Sequence, residues 1–206
     1  MKHARDATRH DNPFSSSRVR PGAIPYAFPG GESTQQLVER LRDAGWRGQI
    51  LGRHGSGKST LLAALIPAIE ATGRNVFPVT LRDGQRRLPA EFLPAAAAKS
   101  NSIVVIDGYE QLGRWSRFRL ARFCRKHRLG LLVTSHAPVG LPEVYCTRTT
   151  VDLARRIVEQ LLHEGDRAIL TPVDVEKRFH QCGGDLRETL FSLYDDYDER
   201  KRGGKG

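Results

Sequence analysis

Nine consecutive residues have the types and spacing to hold phosphate. Residues 52–60 read Gly-Arg-His-Gly-Ser-Gly-Lys-Ser-Thr, which fits the phosphate-loop pattern G-x-x-x-x-G-K-[ST]. Gly52, Gly55 and Gly57 tolerate positive φ and put no Cβ between backbone and ligand. Successive N–H groups can then converge on phosphate oxygens. Lys58 supplies a point charge for the β- and γ-phosphates, and the Ser59 hydroxyl is a Mg²⁺ ligand. The predicted nucleotide-binding segment is therefore Gly52, Arg53, His54, Gly55, Ser56, Gly57, Lys58, Ser59 and Thr60. A Gly/Ser linker holding a lysine by chance is the bland alternative. It would not be flanked by Gln49-Ile50-Leu51 on one side and Leu61-Leu62-Ala63-Ala64-Leu65-Ile66 on the other.

Two further runs end in groups suited to the same chemistry. Ser102-Ile103-Val104-Val105-Ile106-Asp107 has four consecutive aliphatics, the mark of a strand buried on both faces of a parallel sheet. Asp107 at its end sits where open α/β sheets bind ligands, and it can hold Mg²⁺ together with Ser59. Gly130-Leu131-Leu132-Val133-Thr134-Ser135-His136 repeats the pattern, so Thr134, Ser135 and His136 are expected to face the γ-phosphate. Either Thr134 or Ser135 is suited to position an attacking water, and His136 either touches the phosphate or merely ends the strand.

Elements must position these groups. Leu37, Val38 and Leu41 make the apolar stripe of a helix over 32–44, capped by Ser33 or Thr34 and stopped by Gly45. A strand over 47–52 leads into the loop, and a helix runs on to about Thr72, with Pro67 kinking or ending it. Asn75–Leu81 reads as a strand that Pro78 demotes to a sheet edge. An Ala-rich helix follows over 88–99. Val144–Thr150 is the last strand, and Asp152 is the expected cap of a helix over 152–163. From Thr171 onward the pattern is helical: Thr171-Pro172 opens one helix, Gly183-Gly184 closes it, and Asp185-Leu186-Arg187 opens the next.

Ahead of this core, residues 1–22 mix charge, serine and proline without an apolar period and read as a loose or disordered arm. Residues 21–31 carry Pro21, Pro25 and Pro29 among Ile24, Tyr26 and Phe28. They either pack on the domain or run beside an adenine. The domain expectation is an arm over 1–31, a nucleotide-binding core over 32–150, a helical lid over 151–199 and a flexible basic tail over 200–206.

The chain has 206 residues, a net charge of +10 and 39 % hydrophobic residues. Its mean hydropathy is −0.46 and its pI about 10.0. It holds no apolar run of membrane-spanning length and no apolar leader at its start. Cys124, Cys146 and Cys182 are odd in number and lack metal-type spacing, which favours a reducing, cytoplasmic setting. The basic excess favours polyanion partners, nucleic acid first. Residues 114–128, Arg-Trp-Ser-Arg-Phe-Arg-Leu-Ala-Arg-Phe-Cys-Arg-Lys-His-Arg, gather that charge on one predicted helix. Leu120, Phe123 and Cys124 form its apolar stripe. Arg114, Arg117, Arg122, Arg125 and Arg128 take a broad opposite face with Trp115 and Phe118. Such a face either binds DNA or another nucleic acid through phosphates and bases, or is a solvated surface on which arginine stems cover aromatics.

In this order the phosphate loop, the strand ending in Asp107, the strand ending in Thr134-Ser135 and the C-terminal Gly-Gly-Asp-Leu-Arg resemble the AAA+ superfamily of P-loop ATPases. The initiator, clamp-loader and transposition-ATPase branches are the nearest in pattern. The resemblance covers residues 45–197. It implies a three-layer α/β/α fold with a mostly parallel five-stranded sheet and a small C-terminal helical lid. It implies ATP and Mg²⁺ as ligands, Thr134 or Ser135 as the γ-phosphate sensor of the fourth strand, and Arg187 as the sensor of the lid. Gly108 stands where the family has a water-orienting glutamate, and Glu110 is the nearby substitute. Residues 137–142 hold no arginine of the kind that reaches a neighbouring subunit. The absence of N-K-x-D favours ATP over GTP, and the absence of L-S-G-G-Q argues against a transporter ATPase. The expected function is Mg-dependent ATP hydrolysis that drives a lid movement read by DNA or a protein partner. The alternatives are an ATP-dependent switch that does not hydrolyse, and a small-molecule kinase on the same core.

Overall fold

A computed structural model describes residues 12–203. The expected disorder of the first residues and the glycine-rich tail after Gly203 lie outside the described residues. The chain divides into two compact units. Of the described residues, one comprises 30–52 and 58–147, and the other 12–29, 53–57 and 148–203.

The first unit is built on five parallel strands: β1 (Arg47–Leu51), β2 (Asn75–Thr80), β3 (Ser102–Asp107), β4 (Gly130–Ser135) and β5 (Glu143–Cys146). Their spatial order is β2-β3-β4-β1-β5. All pairs are parallel, where the sequence led us to expect a mostly parallel sheet. β2 lies at an edge, as Pro78 requires, and β3, with its four central aliphatics, and the fully buried β4 lie inside it. Helices flank the sheet: α2 (Thr34–Asp43), α3 (Lys58–Glu70), α4 (Phe92–Ala97) and α5 (Arg114–Lys126). Ser33 caps α2 in a reciprocal capping box with Gln36. α3 buries Leu61, Leu62, Leu65 and Ile69 and runs through Pro67. A core of Leu81, Val104, Ile106, Leu112, Leu120, Leu131 and Val133 underlies the ends of β3 and β4. Gln49 is buried on β1. Its amide donates to Leu141 O at 2.7 Å and accepts from Val139 N at 2.8 Å, so it fixes the arginine-free connection from β4 to β5.

The second unit contains α1 (Ser16–Val19), α6 (Val151–Leu161), α7 (Pro172–Gln181) and α8 (Leu186–Gly203). Thr150, and not Asp152, caps α6, through a bond from Leu153 N at 3.1 Å. Asp152 falls inside the first turn, where its charge favours the helix dipole. Thr171 and Asp174 form the capping box of α7, with Pro172 at its first position. The core of this unit joins Leu153, Ile157, Val158, Val175, Phe179, Leu190, Leu193 and Tyr197 to Phe14. Residues 12–19 are therefore anchored and not loose. Phe14 is fully buried, its ring 6.1 Å from that of Tyr197 and edge-on to it. Asn12 donates to Tyr194 O at 3.0 Å and to Asp198 Oδ1 at 2.7 Å. One buried aromatic outweighs the polar composition around it. Among the described residues no helix is long and apolar enough to cross a membrane.

Candidate functional site

The C-terminal ends of β1, β3 and β4 lie side by side because β4 pairs with both neighbours. Leu51 is in register with Ser135, and Ile106 with Val133. The groups that end these strands are thereby gathered with the first residues of α3.

Asp107 is the centre of the cluster. Its Oδ2 accepts from Ser59 Oγ at 2.6 Å, and its Oδ1 accepts from Thr134 Oγ1 at 2.6 Å. Thr134 in turn accepts from Gly108 N at 2.9 Å. Of the two candidate sensors, Thr134 is the one turned to Asp107. Ser135 points its hydroxyl to Ala137 O at 2.8 Å and closes a turn. Successive strand residues face opposite ways, so only one of the pair can meet the carboxylate.

Lys58 is buried at the start of α3. Its Nζ donates to Gly52 O at 2.7 Å and lies 3.4 Å from His136 Nδ1. His136 Nδ1 is also 3.2 Å from Gly52 O. On the far side of the ring, Nε2 is 2.8 Å from Glu110 Oε1. A carboxylate only accepts, so Nε2 carries the proton and donates. Glu110 Oε2 is buried and has no hydrogen-bond partner among the described residues. A buried, orphaned carboxylate oxygen beside a histidine is costly unless a ligand or water uses it.

The backbone explains how Glu110 arrives there. Gly108 has φ 83° and ψ 40° and opens a 3₁₀ turn over Tyr109–Gln111. A Cβ at Gly108 would come 2.8 Å from Leu81 O, so a glutamate does not fit at this position. The carboxylate is instead carried two residues further along by the left-handed step. Arg117 braces that turn, with Nε donating to Leu112 O and Nη2 to Glu110 O, each at 2.8 Å. Its guanidinium also lies 5.2 Å from the Tyr109 ring centre. Burial pushes the Tyr109 hydroxyl above its ordinary pKa, with Arg117 pulling the other way. Arg117 was expected on the basic face, and its role as a brace had no signal in the sequence.

In the second unit, residues 53–57 of the loop lie with the helices. Ser56 Oγ donates to Arg53 O at 2.7 Å, folding the loop on itself. Gly55, at φ 64°, faces Asp185: a Cβ there would stand 1.7 Å from Oδ1. Asp185 Oδ2 is 2.9 Å from His54 Nδ1, and Oδ1 accepts from Glu188 N at 3.0 Å. Burial alone would raise the Asp185 carboxyl, but the Glu188 N–H, His54 and the Arg187 N–H together hold it below its ordinary value. Gly57, at φ 89°, lies against the Tyr26 ring, which places the proline-rich segment beside the loop. Arg187 is exposed, with its guanidinium 5.7 Å from the Phe191 ring centre. Thr60 is half-buried in the first turn of α3.

No family model matches the sequence, and no curated protein matches it. Solved structures do resemble the fold. The Walker-type ATPase PABY2304 of Pyrococcus abyssi overlaps 89 % of this chain and 73 % of its own, with a TM-score of 0.53 at 13 % identity. The chain has the P-loop NTPase fold. PCH-2 of C. elegans overlaps 82 % of this chain and 67 % of its own, with a TM-score of 0.39 at 12 % identity. A chain of the E. coli MS115-1 HORMA:CdnC:Trip13 complex overlaps 87 % and 73 %, with a TM-score of 0.38 at 14 % identity.

Proposed function

We propose that the protein binds ATP at Gly52–Thr60 and hydrolyses it. The observation that carries this reading is Glu110. Its unused buried oxygen supports the reading: the carboxylate holds Nε2 of His136, whose Nδ1 lies 3.4 Å from Lys58 Nζ, so it is linked through one ring to the phosphate-binding lysine.

Lys58 is oriented by the Gly52 carbonyl, and its charge would attract the β- and γ-phosphates. Ser59 and Asp107 are hard oxygen donors already within hydrogen-bond distance of each other, a set that fits Mg²⁺, which takes one or two protein oxygens beside substrate phosphates. The ion would neutralise charge on the phosphates when bound. Glu110 Oε2 accepts a proton from the attacking water, and the Nε2–H of His136 holds Oε1 so that the carboxylate cannot turn away. Thr134 keeps Asp107 aligned. We assign Arg187 as reader of the γ-phosphate on its Gly-Gly-Asp-Leu-Arg motif, with movement of the helical lid as the output. Three free cysteines suit a reducing cytoplasm.

A non-hydrolysing switch would need the Asp107 carboxylate for the metal but no second one, so Glu110 favours the ATPase. The test of the binding step is titration with a fluorescent ATP analogue in Mg²⁺. A charged hydrogen bond contributes roughly 1.5–3 kcal/mol, so Lys58→Ala is expected to weaken binding about tenfold or more. Equal affinity for wild type and Lys58→Ala would overturn the reading.

A further inference from the structure

The solvent face of α5 is used by nothing in the nucleotide site. Leu120 and Cys124 are buried beneath it, and Arg117 is spent on the Glu110 turn. The opposite stripe, at three- and four-residue steps, is Trp115, Phe118, Arg119, Arg122, Arg125 and Lys126, all exposed. Trp115 is 80 % exposed and Phe118 61 %, the most exposed large apolar side chains described apart from Val173. Their rings stand 6.3 Å apart at 89°, which leaves flat faces open to solvent.

The charge around the rings is one-signed. No Asp or Glu occurs between Glu110 and Glu143. Arg119, Arg122 and Arg125 have no carboxylate partner among the described residues, whereas Arg155, Arg178 and Arg200 of the helical unit are all paired. The arginine stems leave both rings largely uncovered, so the solvated-surface reading does not describe this helix. From residue 115 to residue 126 the stripe runs roughly 16 Å.

We propose that this face of α5 binds single-stranded nucleic acid. Unpaired guanidinium groups take the phosphodiester oxygens and the two rings stack on bases, a combination that suits a short single strand. The bases must be unstacked to meet Trp115 and Phe118, which selects a single strand over a duplex. The exposed apolar groups are aromatic rings without an aliphatic anchor, which selects nucleobases over an acidic protein. The proposal does not depend on the nucleotide site.

The test is fluorescence anisotropy of labelled dT20 and U20, a 20-base-pair duplex and a polyglutamate peptide, each over a range of salt. The full chain is compared with Trp115→Ala/Phe118→Ala, Arg119→Ala/Arg122→Ala and Lys58→Ala. One or both single strands are expected to bind more tightly than the duplex and the peptide, with affinity falling as salt rises. Each phosphate contact removed lowers the log–log salt slope by about 0.7, so the arginine pair is expected to flatten it by about 1.4. The aromatic pair is expected to lose about tenfold or more in affinity with the salt slope kept. Lys58→Ala is expected to bind as wild type does. All of these sites but Lys58 are on the exposed face, and matching thermal melts establish that the variants fold. Stronger binding of polyglutamate would mean an acidic protein partner and overturn the proposal. Binding of the duplex as tight as the single strands, no binding of either strand, or aromatic-pair and arginine-pair variants indistinguishable from wild type would overturn it too.

Discussion

At the scale of single residues, the backbone of Gly108 decides where the Glu110 carboxylate, the proposed general base, stands. The AAA+ pattern that the sequence resembles would put glutamate immediately after Asp107, and a tempting substitution is Gly108→Glu. The account predicts the opposite of a gain. The left-handed conformation costs a residue with a Cβ roughly 1–2 kcal/mol, and that Cβ would meet Leu81 O at 2.8 Å. Gly108→Glu is therefore expected to lower stability in a urea melt by at least that amount. It is also expected to lower ATP turnover, because the turn that carries Glu110 to His136 is lost. Turnover raised by this substitution would show that Glu110 is not the residue that matters. The sequence made Lys58 and Ser59 legible as candidates because their spacing is tied to one strand–loop–helix unit, and Asp107 because it ends a continuous aliphatic run. It left Glu110 ambiguous because the reach of that side chain depends on a backbone angle two residues earlier. Thr134 and Ser135 could not be separated, since the facing of a strand residue is fixed only by the neighbouring strand. The His54–Asp185 contact joins residues 131 apart and had no local signal.

At the scale of elements, caps and periodicity were readable and side-chain bracing was not. Ser33, Thr171 and Pro172 act at helix starts as their types require. The paired use of Asp174 was not visible. It caps α7 and also receives a two-pronged bond from Arg200 of α8, at 2.7 Å to each oxygen. These bonds, from Arg200 first and then Thr171, outweigh the opposing effect of burial and hold the Asp174 carboxyl well below the usual carboxylate range. A carboxyl depressed in the folded state contributes stability above its unfolded pKa of about 4, and that stability is lost as pH falls towards the folded value. Arg200→Met is therefore expected to lower the melting temperature at pH 7 and to leave a smaller decline between pH 5 and pH 2 than wild type shows. Parallel acid declines in thermal melts of the two proteins would contradict this coupling.

At the scale of the whole molecule, the fold class was legible because parallel strands buried on both faces write continuous aliphatic runs, as in β3 and β4. The two-unit division was less so. Residues 53–57 belong with the helical unit although the strand before them and the helix after them belong with the sheet. That assignment depends on contacts such as Gly55 with Asp185, which local pattern does not encode. Net charge gave only a total of +10. In the structure, Arg155, Arg178 and Arg200 of the helical unit are neutralised in pairs, and the stripe on α5 is not. The central claim concerns the cluster itself, and the measurement that tests it most directly is phosphate release from Mg-ATP by wild type and Glu110→Gln at saturating ATP. The account predicts turnover by wild type, a loss of about a hundredfold or more in Glu110→Gln from removal of the general base, and unchanged affinity for ATP in the variant. Wild-type turnover retained in full by Glu110→Gln would contradict it.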